Sequence, residues 1–263
     1  MKRLIPKCVW SKSHVKGKKT MNSRTVKGSL GNFSEVVSFN YPAVGWYFSS
    51  EEIQDSLVFK KNKWVCMFMY LRMVMNKGKR IRFAGDSDRA CTGPAEFFGF
   101  TDLEDDGGVF IAETERFKKD LETSKAYTKE SASLIHPPKE KYLYMEKLED
   151  IAEDKDIEVV NLFPANLTSL TKLVGLSGYD RFANMDNVLT PFASGCQAVF
   201  TLPYHEKFQE NPKSILGLGD QLVRHFIPED MVPFSVPSTR FVEMANNIEG
   251  SFLDKNFKNP TGF

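Results

Sequence analysis

Three of the four cysteines in this chain, Cys66, Cys91 and Cys196, stand in short contexts suited to presenting a thiol. The clearest reads Cys91-Thr92-Gly93-Pro94-Ala95-Glu96-Phe97-Phe98-Gly99. Gly-Pro within two residues of a cysteine makes a turn, where backbone N–H groups are open to a ligand or a thiolate. Thiolates are soft ligands for zinc and iron–sulfur clusters, and a complete protein set takes four donors. Three cysteines leave a fourth position for His205, Asp88, water or substrate. The first expectation is therefore a cofactor or metal site, an iron–sulfur cluster or another thiolate-bound metal. Cys91 and Cys196, then Cys66, are its ligands or redox thiols, with Arg89 and His205 nearby. Against this, Cys66 lies on a Met-rich helix face, where a cysteine packs as a small hydrophobe. Cys8, in a basic segment, is incidental.

A second expectation needs no metal. The Gly93 turn and a helix starting at Asn166 offer backbone N–H groups to a carboxylate or phosphate, with Arg89 or Arg224 supplying charge. That reading describes a non-catalytic small-molecule or anion-binding protein. A third is an assembly subunit or homo-oligomer, suggested by 22 Phe and 10 Met. No Walker loop, metalloprotease helix, nucleophile elbow or Cys-x-x-Cys pair occurs in the chain, so no reaction is spelled out.

The elements that must position these residues follow from periodicity. Tyr41–Phe48 reads as a strand, and Ser49-Ser50-Glu51-Glu52 as a cap and first helical turn. Lys63–Lys77 reads as a helix ended by Gly78, and Lys79–Ala84 alternates as a strand. Glu113–Leu134 reads as a helix ending before Pro137-Pro138. Tyr142–Met145 and Glu158–Phe163 read as strands. Asn166 caps a helix through Val174, closed by Gly175 or Gly178. The small residues of Ala193–Ala198 suggest close packing around Cys196, and Ser238 opens a closing helix to Phe252. Residues 64–100 and 166–200 share a helix, a glycine, a Phe-Ala pair and a cysteine, which suggests a degenerate internal duplication pairing Cys91 with Cys196. The fold class is α/β or α+β, one domain over 36–253 with a mixed central sheet and flanking helices.

Composition bounds the rest. Apolar residues at 41% and charged residues at 26% are globular values. Residues 1–27 hold nine Lys or Arg and no acid, so 1–35 reads as a flexible basic arm on an acidic body, and 254–263 as a tail. The arm lacks interleaved aromatics, which argues against nucleic acid as a partner beyond that arm. The longest apolar run, Trp64–Met75, contains Arg72 and is too short to span a membrane. No signal peptide is visible, and four cysteines without secretory context point to a reducing cytoplasm.

Cys66 through Gly78 to Cys91-Thr92-Gly93-Pro94-Ala95 and Phe98-Gly99 resembles the uncharacterised prokaryotic "domain of unknown function 169" family. So do Glu158-Val159-Val160 before the Asn166 helix, Cys196 before Pro203-Tyr204, and Glu229-Asp230-Met231 leading to Val236-Pro237. The resemblance spans roughly residues 36–250 and implies no settled activity. Two departures stand out. The family's typical Asn-Pro ahead of the central helix is here Ala165-Asn166, and a cysteine beside an arginine, common near 220–224, is absent.

Overall fold

Strand residues in this chain are buried on both sides, which requires a sheet covered by helices on each face. The computed structural model describes residues 20–58, 66–85, 94–102, 107–182, 185–217, 224 and 227–258. The sheet is built from β2 (Val44–Ser49), β3 (Leu57–Val58), β4 (Ile81–Ala84), β5 (Tyr142–Lys147), β7 (Val159–Leu162), β8 (Val188–Leu189), β9 (Ser214–Leu216) and β10 (Phe234–Pro237). A separate ladder joins β1 (Met21–Asn22) to β6 (Asp156–Ile157). Trp46, Ile81, Phe83, Leu143 and Met145 point to one face, and Tyr47, Ala84, Tyr142, Tyr144 and Val160 to the other. The first face is covered by α2 (Met67–Lys77), α3 (Pro94–Phe97), a π-helical turn (Gln197–Thr201) and α7 (Leu202–Glu206). The second is covered by α1 (Ser23–Ser34), α6 (Leu167–Tyr179) and α8 (Ser238–Asn246). The fold is thus a single α/β domain with a mixed eight-stranded sheet.

The strand order is β3-β4-β5-β2-β7-β10-β9-β8. From edge to centre the first half runs β3, β4, β5, β2, and the second runs β8, β9, β10, β7. Both use the second, third, fourth and first strands of their half. Only the outer pairs, β3·β4 and β8·β9, are parallel. The register repeats as well. Leu57, Ile81, Met145 and Trp46 pair in succession across the first half, as Leu189, Ile215, Ser235 and Asn161 do across the second. The antiparallel β2·β7 pair at the centre makes the two halves related by a pseudo-two-fold axis through the sheet.

The duplication is therefore present, but not in the expected alignment. Between the parallel strands of the first half lies α2; between those of the second lies the continuous helical run 195–206. These helices are the equivalents, so Cys66 corresponds to Cys196. The α6 helix, which the sequence pattern matched to α2, sits between β7 and β8, where residues 50–56 of the first half form no helix.

Other expectations shift for local reasons. Ser49–Glu52 is a turn, with the Ser49 hydroxyl accepting from Glu51 N at 3.1 Å. Glu113–Leu134 is not one helix: α4 (Gly107–Val109) runs into a π-helical turn (Phe110–Thr114), the backbone reverses at Arg116 (φ 51°), and α5 (Leu121–Ser133) restarts under an Asp120 cap. The α6 helix continues through Gly175 and Gly178. A Cβ on Gly175 would stand 2.6 Å from the Phe252 ring, so that glycine admits a neighbour instead of ending the helix. Ser238 is the first residue of α8, not its cap, and α8 ends at Asn246. The flexible arm does not reach residue 35: Val26 and Phe33 of α1 are fully buried, and Phe33 stacks on Phe241 at 4.9 Å.

Candidate functional site

Two helix starts meet on the first face. The α2 helix begins at Cys66, an extended residue at its N-cap, and ends at Gly78 in the left-handed region (φ 58°). A thiol caps poorly: the Cys66 side chain makes no cap bond to this turn, while its carbonyl accepts from Met69 N at 2.9 Å. That turn is nonetheless buried, with Met67 and Phe68 each 1% exposed. The run 195–206 starts against it. A Cβ on Gly195 would stand 3.1 Å from Cys66 Sγ and 3.2 Å from the Phe68 ring, so a side chain there would press on both. Cys196 is the next residue, and both thiols lie inside the same apolar cluster.

The second helix start is shaped by Pro203. A proline here lacks the N–H that would bond Val199 O and crowds that carbonyl. The backbone widens into the Gln197–Thr201 π-helical turn, and Val199 O instead accepts from Asn161 Nδ2 at 2.9 Å. Asn161 also donates to Ser235 Oγ (2.7 Å) and accepts from Trp46 Nε1 (2.5 Å), so the pseudo-equivalent residues Trp46 and Asn161 bond each other near the axis. Phe200, projecting from the π-helical turn, packs against Trp46 (5.0 Å), Phe98 (5.5 Å) and Tyr204 (5.1 Å).

Tyr127 of α5 closes the site from above. Its hydroxyl accepts from Ser194 N at 3.3 Å and donates to Gln197 Oε1. Burial, the largest influence, pushes the phenol up to about 12, so it acts as a neutral O–H donor. With that proton committed to Oε1, the amide of Gln197 is oriented and its Nε2 faces away from the tyrosine. Gln197 is 2% exposed, and among the described residues neither its Nε2 nor Ser194 Oγ has a hydrogen-bond partner.

A second polar group lies further along the same helix. His136 Nε2 and His205 Nδ1 are 2.9 Å apart, and His205 Nε2 is 2.9 Å from Gln209 Nε2. The His136 ring stacks on Phe208 at 4.1 Å. Two imidazolium ions cannot share a 2.9 Å contact, so the pair carries one proton between facing nitrogens. Burial and then His205 hold His136 down to about 4, and burial also lowers His205. Below them Lys207 Nζ bonds Glu158 Oε2 at 2.5 Å; burial raises the Glu158 carboxyl, and Lys207 opposes it.

Of the residues singled out from sequence, Cys66 and Cys196 lie buried in the same apolar cluster on the first face. Cys91, Gly93, Arg89 and Asp88 lie outside the described residues. His205 is nine residues beyond Cys196, roughly 13 Å along a helix, and both its ring nitrogens are engaged. Asn166 does cap its helix, accepting from Ser169 N at 2.9 Å, but that helix packs on the opposite face of the sheet from the cysteines. Arg224 spends its guanidinium on its own loop, donating to Met231 O (2.7 Å) and Glu229 O (2.6 Å). Tyr127, Ser194, Gln197 and His136 carry no sequence motif; only the small-residue run around Gly195 marked the place. Among the described residues no group of three or more His, Cys, Asp or Glu is placed to hold a metal ion.

These features define an α/β protein of two related half-sheets, with buried cysteines at facing helix starts. Residues 32–247 match the model of domain of unknown function 169, described as an uncharacterised ArCR, and the chain belongs to that family. No curated protein and no solved structure matches it. Among the described residues no helix is long and apolar enough to cross a membrane.

Proposed function

We propose that this protein is a cysteine-based cofactor- or metal-binding protein of the cytoplasm, with Cys66 and Cys196 as its protein thiolates. One observation supports the reading: a Cβ built on Gly195 would stand 3.1 Å from Cys66 Sγ, so the backbone next to Cys196 passes close to the Cys66 thiol. Helix N-termini favour negative charge, so each start favours a thiolate. A pair of thiolates supplies half of a four-donor set for zinc or an iron–sulfur cluster, and Cys91 is the remaining cysteine of the body. A reducing compartment keeps such thiols available.

The test is metal and acid-labile sulfide analysis, with a visible spectrum, on protein purified without oxygen. Stoichiometric metal that is lost in the Cys66→Ser, Cys196→Ser variant supports the reading. Metal-free, colourless protein with every thiol titratable overturns it.

A further inference from the structure

Between the π-helical turn Phe110–Thr114 and α5 the chain reverses at Arg116, a non-glycine residue in the left-handed region (φ 51°). Such a conformation is strained and persists only where the residues around it are anchored. The anchor is the two residues that follow. Phe117 is buried and stacks on Phe192 at 4.3 Å, with the Tyr127 ring 5.5 Å away. Lys118 sends its ammonium to the same rings: Nζ lies 4.5 Å from the centroid of Tyr127, 5.1 Å from Phe117 and 5.4 Å from Phe192. Its neighbour Lys119 pairs with the Asp120 carboxylate at 3.4 Å, whereas among the described residues Lys118 makes no ion pair. An ammonium set among aromatic rings is held by cation–π attraction.

Two of these rings come from segments next to Cys196. Phe192 is half-exposed and lies four residues before Cys196, in a stretch without helix or strand. Tyr127 belongs to α5, and its hydroxyl accepts from Ser194 N at 3.3 Å. Burial, and after it the nearby Cys196 thiol, push that phenol up. Tyr127 therefore joins the outer contact with Lys118 to an inner contact with the 192–196 segment. We infer that Lys118 is a latch: its ammonium, set against Tyr127, Phe117 and Phe192, holds α5 closed over the segment that carries Cys196. With the latch released, the strained reversal at Arg116 relaxes and α5 lifts from Ser194. As a gate on a cofactor the latch rests on the thiol reading proposed above; as a fastening of α5 it stands without it.

Hydrogen exchange, read peptide by peptide in a mass spectrometer, is compared for the full-length wild type, Lys118→Met, Lys118→Arg and Phe192→Leu. Lys118→Met keeps the apolar stem and removes the charge, so peptides covering 121–131 and 191–196 should exchange roughly three- to tenfold faster. Phe192→Leu should act in the same direction. Lys118→Arg keeps the charge and should stay near wild type. The central strand peptide 143–147 should be unchanged in every variant, which separates release of a latch from a general loss of stability. Exchange of 121–131 and 191–196 that is the same in wild type and Lys118→Met overturns the inference. So does equal acceleration by Lys118→Arg, or acceleration of 143–147 to the same extent. Metal content is measured on the same samples, purified without oxygen. Metal-free protein whose exchange responds to Lys118→Met keeps the latch and ends the cofactor reading; metal-containing protein whose exchange does not respond does the reverse.

Discussion

The His136–His205 contact shows what a single shared proton does to stability. Both imidazoles titrate below the ordinary histidine value when folded, His136 at about 4, because burial penalises the charged ring of each and His205 further disfavours charge on His136. The unfolded chain binds protons first as pH falls, so stability is held above about pH 6.5 and lost progressively toward pH 4. Lys207 faces the pair and also disfavours the charged form, while Glu158 and Glu140 lie behind Lys207 and Tyr204. Burial raises Glu158 and Glu206, whose contributions have the opposite sign and fade as pH rises through their folded values. His136→Phe keeps the stacking on Phe208 and removes one titrating site. The melting temperature of wild type should fall more steeply between pH 6.5 and 4 than that of His136→Phe. The difference stays below about 1.4 kcal/mol per pH unit, because His136 is only half-buried. Parallel profiles would mean that the contact does not titrate in this range.

At the scale of elements, α5 is a strap fastened by polar groups at both ends. Its fully buried residues are only Ser124 and Ser131, Tyr127 ties it to Ser194 and Gln197, and His136 beyond its end ties it to His205. It belongs to the long β4–β5 connection. An element holding so little apolar surface opens below the global unfolding free energy. Labelling of Cys196 by iodoacetamide should therefore occur through α5 opening. Tyr127→Phe removes two hydrogen bonds worth about 1 kcal/mol each, and should speed that labelling roughly 10- to 30-fold. Unchanged labelling, read peptide by peptide in a mass spectrometer, would show that Cys196 is reached only by global unfolding.

The same scale explains what could be read in advance. The α2 helix was legible because four methionines at core spacing end at a glycine that can take φ 58°. The close approach at Cys196 was legible because Ala193, Ser194, Gly195 and Ala198 leave no other use for such small side chains. The α1 helix was masked by its basic charge, although Asn22 as a cap and Val26, Leu30 and Phe33 at helical spacing were all present. Gln197 and Tyr127 were not legible, since their roles exist only once α5 crosses the second helix start. The equivalence of Cys66 with Cys196 was hidden for a different reason: helix α6 imitates α2 in local pattern but occupies another place in the topology.

For the whole molecule, the pseudo-two-fold makes the β2·β7 seam the place where two half-sheets become one structure. Only three residue pairs form that ladder, Val44–Asn161, Gly45–Val160 and Trp46–Val159. A seam this short is held by side chains as much as by backbone. Asn161 is its clasp: fully buried, it bonds Trp46 of one half, Ser235 of the other, and the Val199 carbonyl that Pro203 leaves unmatched. Because Val199 lies in the helical run that starts at the cysteines, the seam also sets the position of the site. Asn161→Ala strands three buried polar groups and should cost about 2–5 kcal/mol. The loss should fall on both halves at once. Urea unfolding followed by tryptophan fluorescence and by far-ultraviolet dichroism should shift to lower midpoint in one coincident transition. Two separated transitions in the variant would instead mean that each half-sheet is stable alone, and that the duplication joins two independent folding units.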